Sequence, residues 1–442
     1  MLYSNPGAYV RDDRAANSFQ VHRDVFRDPD LFNLEIQKIF EGGWVFVCLA
    51  SQIPEPFDFL CLRLGRRSVM VTRDGGGELH CFYNTCRHRG AMVRQGECGN
   101  AKYHVCNYHG WAYDAAGRNI DIKDQDSGHY PESFKDSNHD LIPVARFAAY
   151  GDLLFASLSP DVPSLDEHLG DARVFIDLVM DQGRDGMELV PGRSRYTYDA
   201  NWKFQMDNGV DAYHLTSTHR SFAKIVQRRA EGESANKQVK SPNFKSRFAM
   251  ESGMFTLGNG HAVVWSDHPS PEDQPLYGEI DSLRQRVGTA RAKWMLRQRN
   301  LTIFPNLQLA DTTSLVLRTF TPLAVDRTEM NLYCLAPIGE ADNLRYKRVR
   351  QHEDFFNVSG MATPDDTACY EDCQSGLDSQ PDDWLQCFER GMTLTGSDGG
   401  AAAAELGITP ETSLHATYGV QNEVVYHAAY REWTRRLSDA AQ

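Results

Sequence analysis

The sequence predicts an α+β protein in two parts: a small all-β domain, then a larger α+β domain with an antiparallel sheet and helices on one face. Three observations predict it. From residue 44 to residue 158, short strand-like runs are separated by turn signals. Beyond residue 159, helical segments mix with further strand-like runs. One stretch of helical spacing, residues 30–41, precedes both.

Taken in order, Leu31, Leu34, Ile36, Ile39 and Phe40 recur at helical spacing behind Asp28-Pro29, a start signal. We expect residues 1–42 to form a helical segment that packs on the larger domain. Residues 44–49, 58–64, 68–72 and 79–84 read as strands, broken by turns such as Asp74-Gly75-Gly76-Gly77 and Ala115-Ala116-Gly117. Residues 151–158 read as the closing strand, which bounds the β domain at 43–158. In the remainder, 159–442, helices are expected over 165–182, 201–214, 284–299, 344–361 and 367–374. Strands are expected over 301–303, 315–321 and 330–336, and the Gly- and Ala-rich 392–404 reads as a loop.

Composition narrows the function classes. The 442 residues are 41% hydrophobic and 24% charged, an ordinary globular balance. The net charge of −14 disfavours nucleic acid or an anionic membrane as partner. No run approaches the ~20 apolar residues of a membrane span, and Met1-Leu2-Tyr3-Ser4-Asn5-Pro6-Gly7 lacks the basic start and apolar core of a signal peptide. The ten cysteines then read as thiols or metal ligands rather than disulfides, and a reducing cytoplasm is the expected location.

Two cysteine–histidine pairs stand out in the β domain. Cys86-Arg87-His88-Arg89-Gly90 is followed, with 17 residues (89–105) between His88 and Cys106, by Cys106-Asn107-Tyr108-His109-Gly110-Trp111. Such a set can hold one zinc ion, or a [2Fe–2S] cluster with two thiolates on one iron and two imidazoles on the other. The glycine after each pair lets backbone N–H groups approach cluster sulfurs, and each pair falls at a turn between strands, so two loops can clamp one cluster. Both features favour the cluster. Cys48, Cys61, Cys81 and Cys334 read as small core residues. Cys98 lies between the pairs, and Cys369 with Cys373 reads as helix packing.

Such a cluster moves single electrons and holds no substrate, so chemistry needs a second site. His214 and His219 suit the two-histidine, one-carboxylate triad of non-haem Fe(II) oxygenases. On a helix, Asp211 and His214 share a face. His214 and His219 would point about 140° apart, so both reach one iron only where the helix ends, bulges or unwinds, which Ser217 and Thr218 favour. Spacing leaves the carboxylate open among Glu353, Asp354, Asp365, Asp366, Glu371 and Asp372. His22, His261, His352, His415 and His427 are other histidines available in principle.

Family resemblance narrows these choices. Cys-x-His-Arg-Gly-Ala and Cys-x-Tyr-His-Gly-Trp resemble the two halves of the Rieske motif. Asn201-Trp202-Lys203, Asp207-Asn208-Gly209-Val210-Asp211-Ala212-Tyr213-His214, His219, residues 325–329 and residues 355–366 resemble ring-hydroxylating Rieske oxygenase α subunits, in particular the benzoate, toluate, anthranilate and p-cumate dioxygenase group. The likeness spans nearly the whole chain. It implies an N-terminal all-β Rieske domain with its [2Fe–2S] cluster on Cys86, His88, Cys106 and His109, and an α+β helix-grip catalytic domain. It also implies a mononuclear Fe(II) on His214, His219 and Asp366, with Asp211 bridging that site to the cluster histidine, His109, of a neighbouring subunit. The chain departs from the group at Asp207, often Glu in relatives, at residues 220–224 and at 311–314, so the resemblance leaves the substrate open.

The activity implied is cis-dihydroxylation of a benzoate-like aromatic carboxylate, using O2 and electrons from NAD(P)H through a reductase, with or without a ferredoxin. The implied partners are a small β subunit, in an α3β3 arrangement, and two further copies of this chain. A carboxylate substrate needs a cation or backbone donors. Arg318 is one candidate, and an exposed strand arginine is the alternative reading. Phe204, Met206, Val210, Leu215 and residues 301–309 are the expected pocket wall. The rival functions are a Rieske monooxygenase or demethylase and an electron-transfer protein that holds only the cluster.

Overall fold

The computed structural model describes residues 6–231, 250–386, 388–415 and 421–438. It divides into two compact units, Ile36–Asp166 and Met1–Glu35 with Glu167–Gln442. The divisions thus fall several residues from those expected at 42 and 158. The N-terminal segment is also not purely helical: Val10–Asp13 and Ser18–His22 form a hairpin, because Phe19 and Val21 alternate inward as a strand.

The smaller unit is a set of short antiparallel sheets. Leu79–Tyr83, Arg67–Arg73, Asp58–Leu64 and Cys98–Asn100 lie side by side in that order. Val45–Leu49 pairs with Leu153–Ser157, which pairs with Arg146–Tyr150. Tyr103–Val105, Ala112–Asp114 and Asn119–Asp121 form a third ladder. Phe59, Met70, Phe82, Trp111, Tyr113 and Ile122 pack into one apolar cluster that includes Cys86 and Cys106. The core of this unit is therefore built around the two cysteines.

The larger unit carries a nine-stranded antiparallel sheet among the described residues. Its strands are β1 (Met187–Leu189), β2 (Ser194–Tyr198), β3 (Ser252–Thr256), β4 (Ala262–Ser266), β5 (Gln298–Ile303), β6 (Leu307–Asp311), β7 (Leu315–Ala324), β8 (Arg327–Pro337) and β9 (Thr412–His415). The spatial order is β8-β7-β6-β5-β4-β3-β9, with β1 and β2 both pairing β8. The helices used below are α1 (Pro29–Glu35), α2 (Ala172–Met180), α3 (Trp202–Asn208), α4 (Leu215–Thr218), α5 (Arg220–Glu231), α6 (Thr289–Leu296), α7 (Asp342–Phe355), α8 (Thr363–Ser379) and α9 (His427–Ser438).

Residues opposite one another in an antiparallel ladder share a face, so the register assigns the two faces. Phe255, Val263, Leu301, Leu309 and Leu317 form one row. On that side Phe175 of α2 meets Phe255, and Trp294 of α6 meets Trp265. Val316, Arg318 and Phe320 face the other way, where Trp202 of α3 stacks on Phe320 and Gln308 binds the α3 backbone. Helices thus cover both faces rather than the one expected. This double burial makes β3, β4 and β6 continuously buried, so their sequence does not alternate.

Glycines account for further differences. The expected 165–182 helix breaks at Gly170 (φ +47°), and the 284–299 helix breaks at Gly288 (φ +83°) before the chain passes into β5. The stretch 392–404, expected as a loop, contains most of a helix, Gly400–Leu406, because its alanines are strong helix formers. Helix α3 stops at Asn208 instead of running to His214, with Gly209 as its C-cap. A buried knot fixes α3: Glu35 of α1 accepts from Lys203 Nζ (2.5 Å), Trp202 Nε1 (2.8 Å) and Trp433 Nε1 of α9 (2.6 Å).

Candidate metal centres

In the smaller unit the two cysteine–histidine loops are built alike. The Cys86 amide donates to Ala91 O and the Gly90 amide to Cys86 O; the Cys106 amide donates to Trp111 O and the Gly110 amide to Cys106 O. Both turns close on glycines at positive φ, +72° at Gly90 and +76° at Gly110, which other residues adopt only under strain. The cysteines are buried, His88 is exposed and His109 half-buried. The two imidazoles lie 4.4 Å apart between ring centroids, and His88 stacks on Trp111. The Tyr113 hydroxyl accepts the Arg87 amide and lies 3.3 Å from Cys86 Sγ.

Donor spacing distinguishes a cluster from a single ion. Bonds of ~2.0–2.3 Å hold the ligands of one zinc within about 4 Å of one another. Among the described residues, no three of Cys86, His88, Cys106 and His109 bring donor atoms within 4.8 Å of each other. Two buried sulfurs on one side and two imidazoles on the outer side fit a two-iron cluster.

The second centre forms where α3 ends. Asp211 is not on a helical face with His214, as expected, but in the turn between α3 and α4. There its Oδ1 accepts the Tyr213 amide (2.6 Å) and its Oδ2 the His214 Nδ1 proton (2.9 Å). His214 and His219 flank the single turn α4, and the helix ends at His219. This ending lets their Nε2 atoms converge to 3.2 Å. Asp366, in the first turn of α8, places Oδ1 3.4 Å from His214 Nε2 and 3.2 Å from His219 Nε2. Asp365 instead faces the other nitrogen of His219, at 3.6 Å.

The chemistry of this donor set calls for a cation. With the His214 proton held at Nδ1 by Asp211, its Nε2 presents a lone pair. A carboxylate oxygen and a second Nε2 point at the same place, and each pair of atoms lies within 4.8 Å. Three acceptors converging in a largely buried space fit a metal ion with open positions. Burial opposes ionisation at Asp211, yet the hydrogen bonds from His214 and Tyr213 hold its carboxyl below the usual range. Two contributors escaped the sequence reading. Asn208 Nδ2 donates to Asp366 Oδ1 (3.3 Å), and the Tyr426 hydroxyl bonds Asp211. Asn208 adjoins the motif, but nothing near Tyr426 in the chain marks it.

Residues 43–142 match the Rieske [2Fe-2S] domain, and residues 187–439 match the ring hydroxylating alpha subunit (catalytic domain). The chain belongs to the ring-hydroxylating α-subunit family. As an α subunit of this kind it carries a Rieske [2Fe–2S] domain and a mononuclear non-haem iron domain. It is 43% identical over 370 residues to toluate 1,2-dioxygenase subunit alpha of Pseudomonas putida, covering 83% of this chain and 81% of that one. It is 37% identical to the 2-halobenzoate 1,2-dioxygenase large subunit of Burkholderia cepacia, covering 97% and 91%. Among solved structures, naphthalene 1,2-dioxygenase from Rhodococcus sp. matches this α subunit with a TM-score of 0.80 at 26% identity, covering 96% and 95%.

Proposed function

We propose that this chain is the catalytic large subunit of a multicomponent oxygenase that cis-dihydroxylates an aromatic carboxylate. The observation that carries the reading is the convergence of His214, His219 and Asp366 on one point, behind which Asp211 holds the His214 tautomer. In this reading these three residues hold the iron, and Cys86, His88, Cys106 and His109 hold the cluster. The bound metals supply O2 activation and electrons, drawn from NAD(P)H through a reductase. The residues around them hold and orient. Asn208 donates to Asp366, Asp211 fixes His214, and the apolar side chains of Phe222, Phe355 and Phe356 beside His219 keep water away. The aromatic-acid substrate is supported by relatives named for toluate, 2-halobenzoate and anthranilate.

The finer parts of the reading are a small β subunit, a trimer of this chain in which Asp211 meets His109 of the next copy, and a cytoplasmic location. No helix among the described residues is long and apolar enough to cross a membrane. Product analysis with ring-substituted benzoates tests the activity: a cis-diol is expected, and a phenol or aldehyde would establish the rival monooxygenase or demethylase. His214→Ala should abolish oxygenation while the cluster's visible absorbance stays. Unchanged function in that variant would leave only an electron-transfer protein.

A further inference from the structure

We propose that Arg318 is the anion-binding residue of the substrate pocket, its guanidinium receiving the carboxylate of the aromatic acid while the ring lies toward the iron site. This rests on the aromatic-carboxylate reading above and names the group that would enforce it.

The argument starts from pairing. Four arginines are buried among the described residues: Arg297, Arg299, Arg318 and Arg348. Arg297 is paired with Glu251 and Asp267, Arg299 with Asp311, and Arg348 with Glu340. Arg318 is 8% exposed, and its Nε lacks a hydrogen-bond partner. No carboxylate among the described residues forms an ion pair with it. A buried cation without a counter-charge is costly, and an anionic ligand removes that cost.

Position gives the second argument. Arg318 shares its sheet face with Val316 and Phe320, the face on which α3 packs. Its neighbours across the ladder are Leu332 and Gln308, and the Gln308 amide is already committed to Gln205. The guanidinium carbon lies 4.5 Å from the Phe356 ring centroid. Phe356 packs on Phe355 at 4.6 Å, and Phe355 on the imidazole of His219 at 5.6 Å. An aromatic wall therefore leads from a proposed iron ligand to the unpaired cation. The Arg318 charge also acts on His214, Tyr196 and Tyr370. Buried His352 also lies within reach of that charge, and Val316, Leu332, Phe222 and Ala362, which cluster with Phe356, offer an apolar surface that suits a ring. A planar guanidinium fork matches a carboxylate in two parallel hydrogen bonds.

The test is direct binding of benzoate, benzamide and toluene to the holoenzyme by titration calorimetry, with kcat and KM for benzoate alongside. The wild type should favour benzoate over its neutral isostere benzamide by at least about tenfold. Arg318→Gln should weaken benzoate by about 10- to 100-fold and leave benzamide nearly unchanged; Arg318→Lys should fall between. Arg318→Gln with full cluster absorbance, full iron content and wild-type benzoate affinity would overturn the proposal. Should that variant not fold, Arg318→Lys and the wild-type comparison decide: equal binding of benzoate and benzamide by the wild type also overturns it. A wild type that binds toluene but no ring carboxylate removes the aromatic-acid reading, and this assignment with it.

Discussion

At the scale of single residues, two of the three acceptors at the second centre are aimed by a neighbour, and His219 Nδ1 lacks a hydrogen-bond partner among the described residues. Asp211 aims His214, Asn208 aims Asp366, and Asp365 stands behind His219. The same logic appears away from the metals. His261 accepts the Phe304 amide at Nδ1 (3.0 Å) and lies 2.8 Å from His168 O through Nε2, so both nitrogens are used by a neutral ring. Burial pushes its pKa down to about 4. The unfolded chain therefore binds a proton, as pH falls through ~6.5, that the folded protein refuses, and stability is lost between ~6.5 and 4. His261→Gln removes that liability. Its destabilisation relative to wild type should shrink by about 2 kcal/mol between pH 7.5 and pH 5, as read by chemical denaturation at each pH. A pH-independent difference would show that His261 is not held neutral.

At the scale of elements, the proposed iron site depends on α3 ending at the right residue. Gly209 follows it at φ −59°, a conformation any residue adopts, so the glycine answers to space and not to backbone strain. A Cβ there would lie 1.7 Å from Gln308 Nε2, the amide that ties β6 to the α3 backbone. Gly209→Ala should therefore cost about 1–3 kcal/mol and lower the mononuclear iron content with the cluster unaffected. Metal analysis beside visible absorbance checks this. The helix readings of the sequence failed where one glycine or one cap ended a favourable run, at Gly170, Gly288 and Asn208. Strands failed where both faces are buried, because period-two alternation then disappears.

At the scale of the whole molecule, two compact units each hold one candidate centre. Asp211 has a clear local role, but the bridging role proposed for it requires a neighbouring copy. The protein should therefore sediment as a trimer of this chain, with or without a small partner subunit. Dilution to monomer should stop turnover while both metals stay bound. Sedimentation and activity measured across the same dilution series check this; a fully active monomer removes the bridge. The family alone does not fix the substrate, because side chains on one sheet face can change without changing the fold.

The sequence by itself determined the family and the order of the domains and singled out the two candidate ligand sets, since metal chemistry admits few residue types and ties them to short spacings. Spacing alone could not separate Asp365 from Asp366, which only the family resemblance did, because adjacent carboxylates at a helix start look the same until α8 is docked beside α4. It could not single out Asn208 or Tyr426 either, since neither carries a metal-ligand signature. Arg318 shows the limit most clearly. In the chain it is one polar residue in a strand, equally suited to solvent. Only the register of β7 between β6 and β8, and the ring of Phe356 at the end of α7 lying over it, turn it into a buried cation without a carboxylate partner among the described residues.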